Sequence, residues 1–582
     1  MRKTKIICTL GPSTDKEGVL KQLILNGMEV ARFNFSHQTH EEHAARFEEV
    51  VRIRSELDLP IATLLDTKGP EIRTGLLKDD SVTLKEGESL ILTTDDVLGD
   101  EKKLSVNYKD LPTDIKPGQR ILIDDGLIEL TAEKINGTDI YCKVLNGGVV
   151  GNRKGINLPG VNLSMPYISK KDEEDIIFGC KMGFDFIAAS FVRCANDVMQ
   201  VRNIINKHSK HHIRIIAKIE NAQGVENIDD ILRVTDGIMV ARGDMGVEIP
   251  LEEIPVLQKM LIQKGYRYGR QVITATQMLD SMMSHPRPTR AETTDVANAI
   301  YDGTSAIMLS GETAAGKYPV EALKTMAQIA ERTERDIDYI KRFNNCKVNS
   351  APNVTNAISH ATVTTAHDMG ASAIITVTKT GQTARMISKY RPLSPIISCT
   401  TSETARRQLN LSWGVIPIYM EEKKSTDELF ESSVKAAIDR KLLSDGDLVV
   451  ITAGIPLGIT GTTNMLKVHV VGNVLVSGSG VTHGTVCGNL CVCENEEDAL
   501  KNFKTDDILV IPQTTNKLLP IIKRASGIVT EVMGMQSHAA VVGLTLDIPV
   551  IVGAQNATKI LKSGRTVTVD ADRGIICGTQ HK

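Results

Sequence analysis

Residues 213–224 read IRIIAKIENAQG, an apolar run that ends in two charges and a loop. The run at residues 213–219 is rich in β-branched residues and predicts a buried strand. Lys218 and Glu220 lie two residues apart, so an extended chain carries both side chains on the same side. Such a pair is either a structural ion pair or part of a site over a cavity. We favour the site, with each side chain serving a ligand rather than its neighbour.

Apolar runs of this kind occur eight times in the first 310 residues, mostly separated by stretches long enough for a helix. Eight strand–helix units are the number that closes a parallel barrel, so we predict an α/β protein built on a (β/α)8 TIM barrel. The alternative is an open doubly wound sheet, but no G-x-G-x-x-G follows the first run, where such sheets often carry it. The eight runs are KIICTL (5–10), MEVARFN (28–34), IATLLD (61–66), FDFIAAS (184–190), IRIIAKI (213–219), DGIMVAR (236–242), QVITAT (271–276) and TSAIMLS (304–310).

The strand–helix pattern is interrupted between residues 70 and 165 by hairpin patterns such as KPGQRILIDDGLIEL. An all-β insertion after the third strand lies on the active face of a barrel, where it acts as a lid. A smaller α/β pattern follows, and the last part of the chain is Gly- and Val-rich. The predicted domains are a catalytic barrel (1–69 and 166–340), an inserted β-barrel lid (70–165), an α/β domain (341–472) and an extra C-terminal β/α domain (473–582).

Composition narrows the class of partner. The formal net charge is -3 over 582 residues and only 4% of residues are aromatic, so neither nucleic acid nor an anionic membrane is expected to bind. No run approaches the roughly 20 apolar residues of a membrane helix, and the apolar run at the N-terminus is too short for a signal peptide. We expect a cytoplasmic protein whose cationic sites are local.

Polar residues stand at the carboxyl end of nearly every predicted strand. In a barrel the carboxyl ends of the strands face the active site, so these side chains converge on one mouth. They are Arg32, Asn34, Ser36, His37, Asp66, Thr67, Lys68, Lys218, Glu220, Arg242, Gly243, Asp244, Thr274, Thr276, Ser310 and Glu312.

The chemistry of this set points to phosphoryl transfer. Glu220 and Asp244 are carboxylates suited to a hard divalent cation such as Mg²⁺. Arg32, Arg73 and Lys218 add positive charge, which implies a substrate with several negative charges; metal, arginine and lysine together suit a transferring phosphoryl group. The backbone amides of a Gly-flanked turn at residues 243–244 are placed to cradle a carboxylate or phosphate.

Longer motifs resemble the pyruvate kinase family, in family order from the start of the chain to about residue 472. They are ARFNFSH, LLDTKGPEIRTG, NRKGINLPG, IAKIENAQG, MVARGDMGVEIP, ATQMLDSM, PTRAETTDVANAIYDGTSAIMLSGETAAGKYP and SKYRP. The resemblance implies the barrel, the inserted lid and the α/β domain. It also implies transfer of the phosphoryl group of phosphoenolpyruvate to ADP, giving pyruvate and ATP.

The resemblance further implies residue roles. Lys218 would stabilise the moving phosphoryl group, Arg32 would contact the phosphate, and Thr276 with the amides of Gly243 and Asp244 would bind the substrate carboxylate. Thr276 and Ser310 would belong to the relay that protonates the enolate. The metal ligands would be Glu220 and Asp244 for Mg²⁺ (or Mn²⁺), and Asn34, Ser36, Asp66 and Thr67 for K⁺. The nucleotide would be bound by Asn34, His37, Arg73 and Lys154.

Three further expectations come from the resemblance. Glu71 stands where the family's K⁺-dependent members have glutamate, so we expect K⁺ dependence. The turn of Thr378, Lys379, Thr380, Gly381, Gln382 and Thr383, with the loop AGIPLGITGTTN (453–464), would bind a phosphorylated metabolite as allosteric effector. The family's usual assembly is a homotetramer, which we expect here.

The tail segment MGMQSHAAVVGLTLDIPVIVG resembles the swivelling phosphohistidine domain of phosphoenolpyruvate synthases and dikinases. Gln536 stands where those domains have threonine, so we expect an appended structural or regulatory domain. The alternatives are a synthase or dikinase that uses His538 as phosphocarrier, a barrel lyase or aldolase with Lys218 as Schiff base, and an inactive metabolite sensor. Dependence of pyruvate formation on ADP distinguishes the kinase from these.

Overall fold

The computed structural model describes residues 1–345, 353–423, 425–455, 463–472 and 474–578. The chain divides into two compact units. The first consists of Met1–His360 and Thr378–Glu421, and the second of Ala361–Val377 and Glu422–Lys582.

Eight parallel strands of the first unit close into a barrel, as predicted, each paired with its neighbours on both sides. They are β1 (Lys5–Thr9), β2 (Val30–Asn34), β3 (Ala62–Asp66), β4 (Phe186–Ala189), β5 (Arg214–Ile219), β6 (Gly237–Ala241), β7 (Gln271–Ala275) and β8 (Ala306–Leu309). Alternate residues fill the barrel interior, including Ile7, Leu64, Phe186 and Ile216. Their neighbours along each strand pack outward against the helices, so both faces of every strand are buried.

Helices surround the barrel, and several begin at side-chain caps that the sequence supplies. Thr39, Ser169 and Thr289 each accept a hydrogen bond from the backbone three residues on, in complete capping boxes. The α-helices are Val19–Leu25, His40–Glu56, Lys170–Met182, Ala195–His208, Ala222–Glu226, Ile228–Val234, Arg242–Glu248, Ile254–Tyr268, Arg290–Asp302, Gly311–Ala314, Pro319–Asp336 and Tyr339–Asn345, with 3-10 turns at Leu251–Glu253 and Asp280–Met283.

The inserted segment after β3 forms a β domain with its own hydrophobic core. Seven strands make one sheet and Ser81–Leu84 pairs separately with Gly148–Gly151. The seven are Ile72–Arg73, Ser89–Thr93, Lys103–Ser105, Arg120–Ile123, Ile128–Asn136, Asp139–Asn146 and Gly155–Asn157, and one short helix is Leu111–Asp114.

Both connections between the β domain and the barrel are held by hydrogen bonds. On the way in, the Gly69 N–H donates to Asp172 Oδ1 at 2.9 Å. On the way out, Arg193 Nη1 donates to the carbonyls of Leu163 and Met165 at 3.2 and 3.1 Å. The inserted domain therefore leaves and rejoins the barrel at fixed points.

The rest of the first unit packs at the amino-terminal end of the barrel strands. Ile396–Thr400 and Val415–Tyr419 are parallel strands, and the helices are Gln382–Ser388 and Glu403–Leu409. On the second of these helices, Arg407 Nε donates to the buried Asp185 Oδ1 at 2.9 Å. The helix Val354–Asp368 begins with residues of the first unit and ends with residues of the second.

The second unit contains Ala373–Val377 parallel to Leu448–Gly454, with Thr463–Val470 antiparallel to the latter and the helix Thr426–Asp439. Its C-terminal part is an eight-stranded sheet with short helices. The strands are Val474–Ser477, Ser479–Gly480, Thr485–Val492, Ile508–Ile511, Gly527–Thr530, Val550–Val552, Thr566–Asp570 and Ile575–Gly578. The helices are Glu496–Asn502, Asn516–Leu518, Leu519–Ile522, His538–Leu546 and Ala557–Ile560.

The predicted barrel and inserted β domain are thus present, while the domain boundaries at residues 69, 165, 340 and 472 stay predictions. None of the helices in the described part of the chain has the length and apolar composition needed to span a bilayer.

Candidate active site

Lys218, at the end of β5, lies in a buried cluster at the barrel mouth. Its Nζ lies 3.1 Å from Asp66 Oδ1 and 3.0 Å from Glu220 Oε1, and it donates to Ser190 Oγ at 2.8 Å. Arg32 completes the cluster, because its Nε donates to Asp66 Oδ2 at 2.7 Å. Two cations and two carboxylates therefore balance in a space from which water is largely excluded.

The charges in this cluster set the protonation of its members. Burial lowers the pKa of Lys218, but the carboxylates of Asp66, Glu220 and Asp244 outweigh it and raise that pKa above its ordinary value. Burial likewise raises the pKa of Asp66, and the nearby Lys218 and Arg32 more than reverse this, so it ends below the ordinary value. For Glu220, burial and the Asp244 charge keep the pKa above its ordinary range. The lysine is therefore charged at neutral pH.

The contact between Lys218 and Glu220 corrects our expectation that they do not pair with each other. Two opposite charges on the same side of a strand end reach each other easily, and in a buried place each offsets the other's loss of hydration. Glu220 is also oriented by the Phe191 N–H, which donates to Oε2 at 2.6 Å, while Oε1 accepts no hydrogen bond.

Thr276 follows β7 in a strained conformation. Its φ is 68°, and Gln277 after it also has a positive φ of 53°, which is rare for residues other than glycine. The turn presents Thr276 Oγ1 to the Gly243 N–H at 2.8 Å, and Arg242 Nη2 holds the Thr276 carbonyl at 2.7 Å. Arg242 in turn pairs with Asp295 at 2.6 Å.

The expected turn at Gly243 and Asp244 is wrong, because residues Arg242–Glu248 form a short helix. The Gly243 amide donates to Thr276 Oγ1 at 2.8 Å, and binding of the substrate carboxylate by the amides of Gly243 and Asp244 stays a prediction. Asp244, in the first turn of the helix, contributes its charge to the pKa values of Lys218 and Glu220.

Ser310 follows β8, and its hydroxyl is buried with no hydrogen-bond partner. Its backbone N–H donates to Glu312 Oε2 at 2.7 Å, and the Leu279 N–H donates to Glu312 Oε1 at 3.1 Å. The buried Glu312 thus fixes the chain at Ser310 and leaves the hydroxyl available.

A cavity of about 440 Å³ opens between the inserted β domain and the barrel, and its lining includes Arg73, Asp125, Lys154, Arg193, Asp244 and Glu248. Two of the predicted nucleotide residues are therefore here. Arg73 is held by Glu71 at 2.7 Å and Lys154 by Asp124 at 2.9 Å. Asn34 and His37 are not among the lining residues; they belong to the end of β2 and the chain after it.

Burial changes the pKa of two acids in this cavity. It raises the pKa of Glu248 to about 7. Burial, with the Asp244 charge second, also raises the pKa of Asp125.

The oxygens predicted to bind K⁺ lie at the ends of β2 and β3. Asn34 Oδ1 accepts the Ser36 N–H at 3.1 Å, and the Thr67 carbonyl accepts the Ser190 hydroxyl at 2.7 Å. Both Asp66 oxygens already contact the cations of the Lys218 cluster. Among the described residues, no three or more His, Cys, Asp or Glu side chains form a group able to hold a metal by themselves.

The predicted effector turn leads into the helix Gln382–Ser388. The Gly381 N–H donates to Thr378 Oγ1 at 3.0 Å, and Arg385 Nη2 donates to the Thr380 carbonyl at 3.0 Å. Of the loop at residues 453–464 that we expected to complete this site, residues 456–462 lie outside the described part of the chain.

In the C-terminal domain, His538 begins the helix His538–Leu546 behind the Ser537 cap. Its Nδ1 lies 2.9 Å from Thr514 Oγ1 and its Nε2 3.0 Å from Asn516 Oδ1. Both ring nitrogens are therefore engaged.

Ser190 and Asp125 are among the site residues that the sequence reasoning missed. Ser190 is a single small residue after an apolar run, and Asp125 lies in a hairpin turn, so neither stands out in the sequence. The rule that selected the other strand ends also applies to Ser190, which directly follows β4.

Comparison with known proteins identifies the families that the chain resembles. A family model described as the pyruvate kinase barrel domain matches residues 1–323, and one described as the pyruvate kinase alpha/beta domain matches residues 356–469. The mobile domain of PEP-utilising enzymes matches residues 503–574.

Individual relatives cover nearly the whole chain. The pyruvate kinase of Geobacillus stearothermophilus is 49% identical over 577 residues, covering 99% of this chain and 98% of its own length. That of Bacillus licheniformis is 48% identical over 578 residues, covering 99% of both chains. The crystal structure of a pyruvate kinase from Cryptosporidium parvum has a TM-score of 0.77 at 41% identity, covering 81% of this chain and 96% of the other.

A barrel enzyme with these relatives is a phosphotransferase. The chain belongs to the pyruvate kinase family. The predicted family and fold class, including the α/β domain and the extra C-terminal domain, are confirmed, and the pyruvate kinase prediction is supported over its dikinase and lyase alternatives.

Proposed function

We propose that this protein transfers the phosphoryl group of phosphoenolpyruvate to ADP, giving pyruvate and ATP, with Mg²⁺ (or Mn²⁺) and K⁺ as cofactors. The observation that carries the proposal is the buried, charged Lys218 ammonium at the barrel mouth, between Asp66 at 3.1 Å and Glu220 at 3.0 Å. A fixed cation in a water-poor site is what a transferring phosphoryl group requires.

Lys218 acts on the charge that develops during the transfer. As the phosphoryl group moves, negative charge spreads over its oxygens, and a preorganised ammonium stabilises that arrangement more than the ground state. Arg32 is held by Asp66 and Thr9, so its guanidinium is also preorganised for the phosphate.

Two carboxylates fit a divalent cation. Glu220 Oε1 is buried and faces the Lys218 ammonium at 3.0 Å without a hydrogen bond, and the Asp244 charge acts on the same glutamate. Hard oxygen ligands of this kind suit Mg²⁺. When bound, the ion would supply positive charge that orients substrate oxygens and stabilises the transferring group.

The K⁺ ligands would be the oxygens of Asn34, Ser36, Asp66 and Thr67, a donor set without nitrogen or sulfur that suits a hard monovalent cation. Glu71, which pairs with Arg73, is the residue that makes us propose K⁺ dependence.

Thr276 and Ser310 are the groups we propose for the enolate. The Ser310 hydroxyl is buried without a partner, and Thr276 Oγ1 is held in place by its contacts with the Gly243 amide and its own strained backbone. A hydroxyl held in place is able to bind the substrate carboxylate, and a buried hydroxyl without a partner is able to pass a proton.

For the nucleotide, Arg73 and Lys154 supply positive charge to the cavity between the inserted domain and the barrel. We also propose Asn34 and His37 as nucleotide contacts. A phosphorylated effector would bind at Thr378, Lys379, Thr380, Gly381, Gln382 and Thr383, where the turn exposes a hydroxyl and a lysine. A homotetrameric assembly and a cytoplasmic location stay predictions.

A coupled assay tests the proposal. Pyruvate formation should require phosphoenolpyruvate, ADP, Mg²⁺ and K⁺, with ionic strength kept constant by an organic cation when K⁺ is removed. Full activity without K⁺ would contradict the K⁺ assignment, and activity without ADP would contradict the reaction. Mn²⁺ binding measured by electron paramagnetic resonance should weaken in Glu220→Gln, which checks the metal site without turnover.

A further inference from the structure

We propose that Ser190 is a positioning residue that holds the Lys218 ammonium in place for phosphoryl transfer. The inference rests on the proposed function, because it assigns a task to a side chain through its contact with the lysine. Ser190 directly follows β4 and its side chain is fully buried.

The Ser190 hydroxyl has a defined orientation. It carries one hydrogen, which goes to the Thr67 carbonyl at 2.7 Å in preference to Asp66 Oδ1 at 3.2 Å. An oxygen lone pair therefore faces Lys218 Nζ at 2.8 Å, and an ammonium can only donate. The Ser190 backbone is fixed too, since its N–H donates to Thr67 Oγ1 at 3.1 Å.

Ser190 differs in charge from the other two partners of the lysine. Asp66 and Glu220 attract the ammonium and partly cancel its field, whereas a neutral hydroxyl fixes its position and leaves its charge in effect. Without the hydroxyl, the ammonium would settle closer to the two carboxylates and away from the place where the substrate's charge develops. A displacement of about 1 Å is enough to cost on the order of a hundredfold in rate.

The chain around Ser190 is built to orient this corner of the site. Phe191, the next residue, has a φ of 54°, which is strained for a bulky side chain, and its N–H donates to Glu220 at 2.6 Å. Two successive residues therefore hold both members of the Lys218–Glu220 pair. Gly69 packs against them so closely that a Cβ there would lie 2.8 Å from Ser190 Cβ.

The test is a kinetic comparison of Ser190→Ala with the unchanged full-length enzyme. We expect kcat to fall about 10- to 100-fold. The KM for phosphoenolpyruvate should stay within about threefold of that of the unchanged enzyme, and the melting temperature within a few degrees. Ser190→Cys keeps a weak acceptor of similar size, so it should fall between the two.

Ser305→Ala is the matched control. Ser305 is a buried serine that accepts a hydrogen bond from a cation, Arg391 Nη2, at 3.0 Å, but at the opposite end of the barrel strands. It should lower the melting temperature at least as much as Ser190→Ala and leave kcat unchanged.

The outcomes separate the proposals. If Ser190→Ala keeps kcat within twofold, the positioning role is refuted. It is also refuted if the fall in melting temperature accounts for the whole loss of activity. If Ser190→Ala does not fold, Ser190→Cys decides: a folded variant with at least fivefold lower kcat supports the role, and one with unchanged kcat overturns it. Failure of the unchanged enzyme to transfer phosphate to ADP would instead refute the proposed function.

Discussion

Replacing Lys218 with methionine removes a buried ammonium and keeps most of the side chain's length. A unit charge about 4 Å from a developing charge, at an effective dielectric constant of about 20, is worth about 4 kcal/mol. At about 1.4 kcal/mol for each factor of ten, kcat should fall by about a thousandfold. The KM for phosphoenolpyruvate should change much less, because the effect is larger in the transition state than in the ground state.

The same change affects stability. It leaves Asp66 and Glu220 without their shared cation, and breaking a buried pair in this way costs about 3–5 kcal/mol. Here Arg32 still holds Asp66 at 2.7 Å and the Phe191 N–H still holds Glu220 at 2.6 Å. We therefore expect a loss near the lower end of that range and a protein that still folds.

The assay is steady-state pyruvate formation with the melting temperature measured on the same samples. Lys21→Met is the matched control, because Lys21 pairs with Glu56 on the surface and should leave both quantities nearly unchanged. A folded Lys218→Met variant with more than a tenth of the original kcat would refute the role assigned to the lysine.

Three further predictions concern other parts of the molecule. Thr276→Ala should lower kcat/KM for phosphoenolpyruvate at least tenfold, because the Gly243 amide and the substrate lose a fixed hydroxyl. Thr276→Ser should retain most activity, and an equal loss in both variants would contradict the hydroxyl's role. Burial would raise the pKa of Asp236, but guanidiniums beside it, including Arg214 at 3.0 Å, hold it below its ordinary value. Its contribution to stability is therefore present above pH about 4 and is lost as the pH falls below that, so urea unfolding of Asp236→Asn should show a weaker acid dependence than the parent. Gly69→Ala should lower the free energy of unfolding by about 1–3 kcal/mol, because the φ of residue 69 is 76° and the added Cβ would lie 2.8 Å from Ser190 Cβ. An unchanged unfolding midpoint would show that the chain there relaxes freely.

The barrel was predictable because its strands have a local signature. Strands buried on both faces are continuous apolar runs, and the polar residue that ends each run marks the end that faces the site. Lys218 and Glu220 show this most clearly, since their spacing alone places both on one side of β5.

Some features depended on conformation that no short segment specifies. The sequence MVARGDMG predicts a turn from its glycines, yet the chain continues as a helix from Arg242, which is held by Asp295 and by the carbonyl of Thr276. These partners come from distant parts of the chain, so tertiary contacts overrode the local preference.

The sequence by itself determined which elements form and which charged residues stand at their ends, because periodicity and composition act over a few neighbouring residues. The register between strands alone decided which side chains are in contact. Ala188 pairs with Asp66 and Ala189 with Ala217, and this places Ser190 beside Lys218. A shift of one residue would reverse the side of the sheet on which each side chain lies, and that register is fixed by packing the whole barrel, not by any single strand.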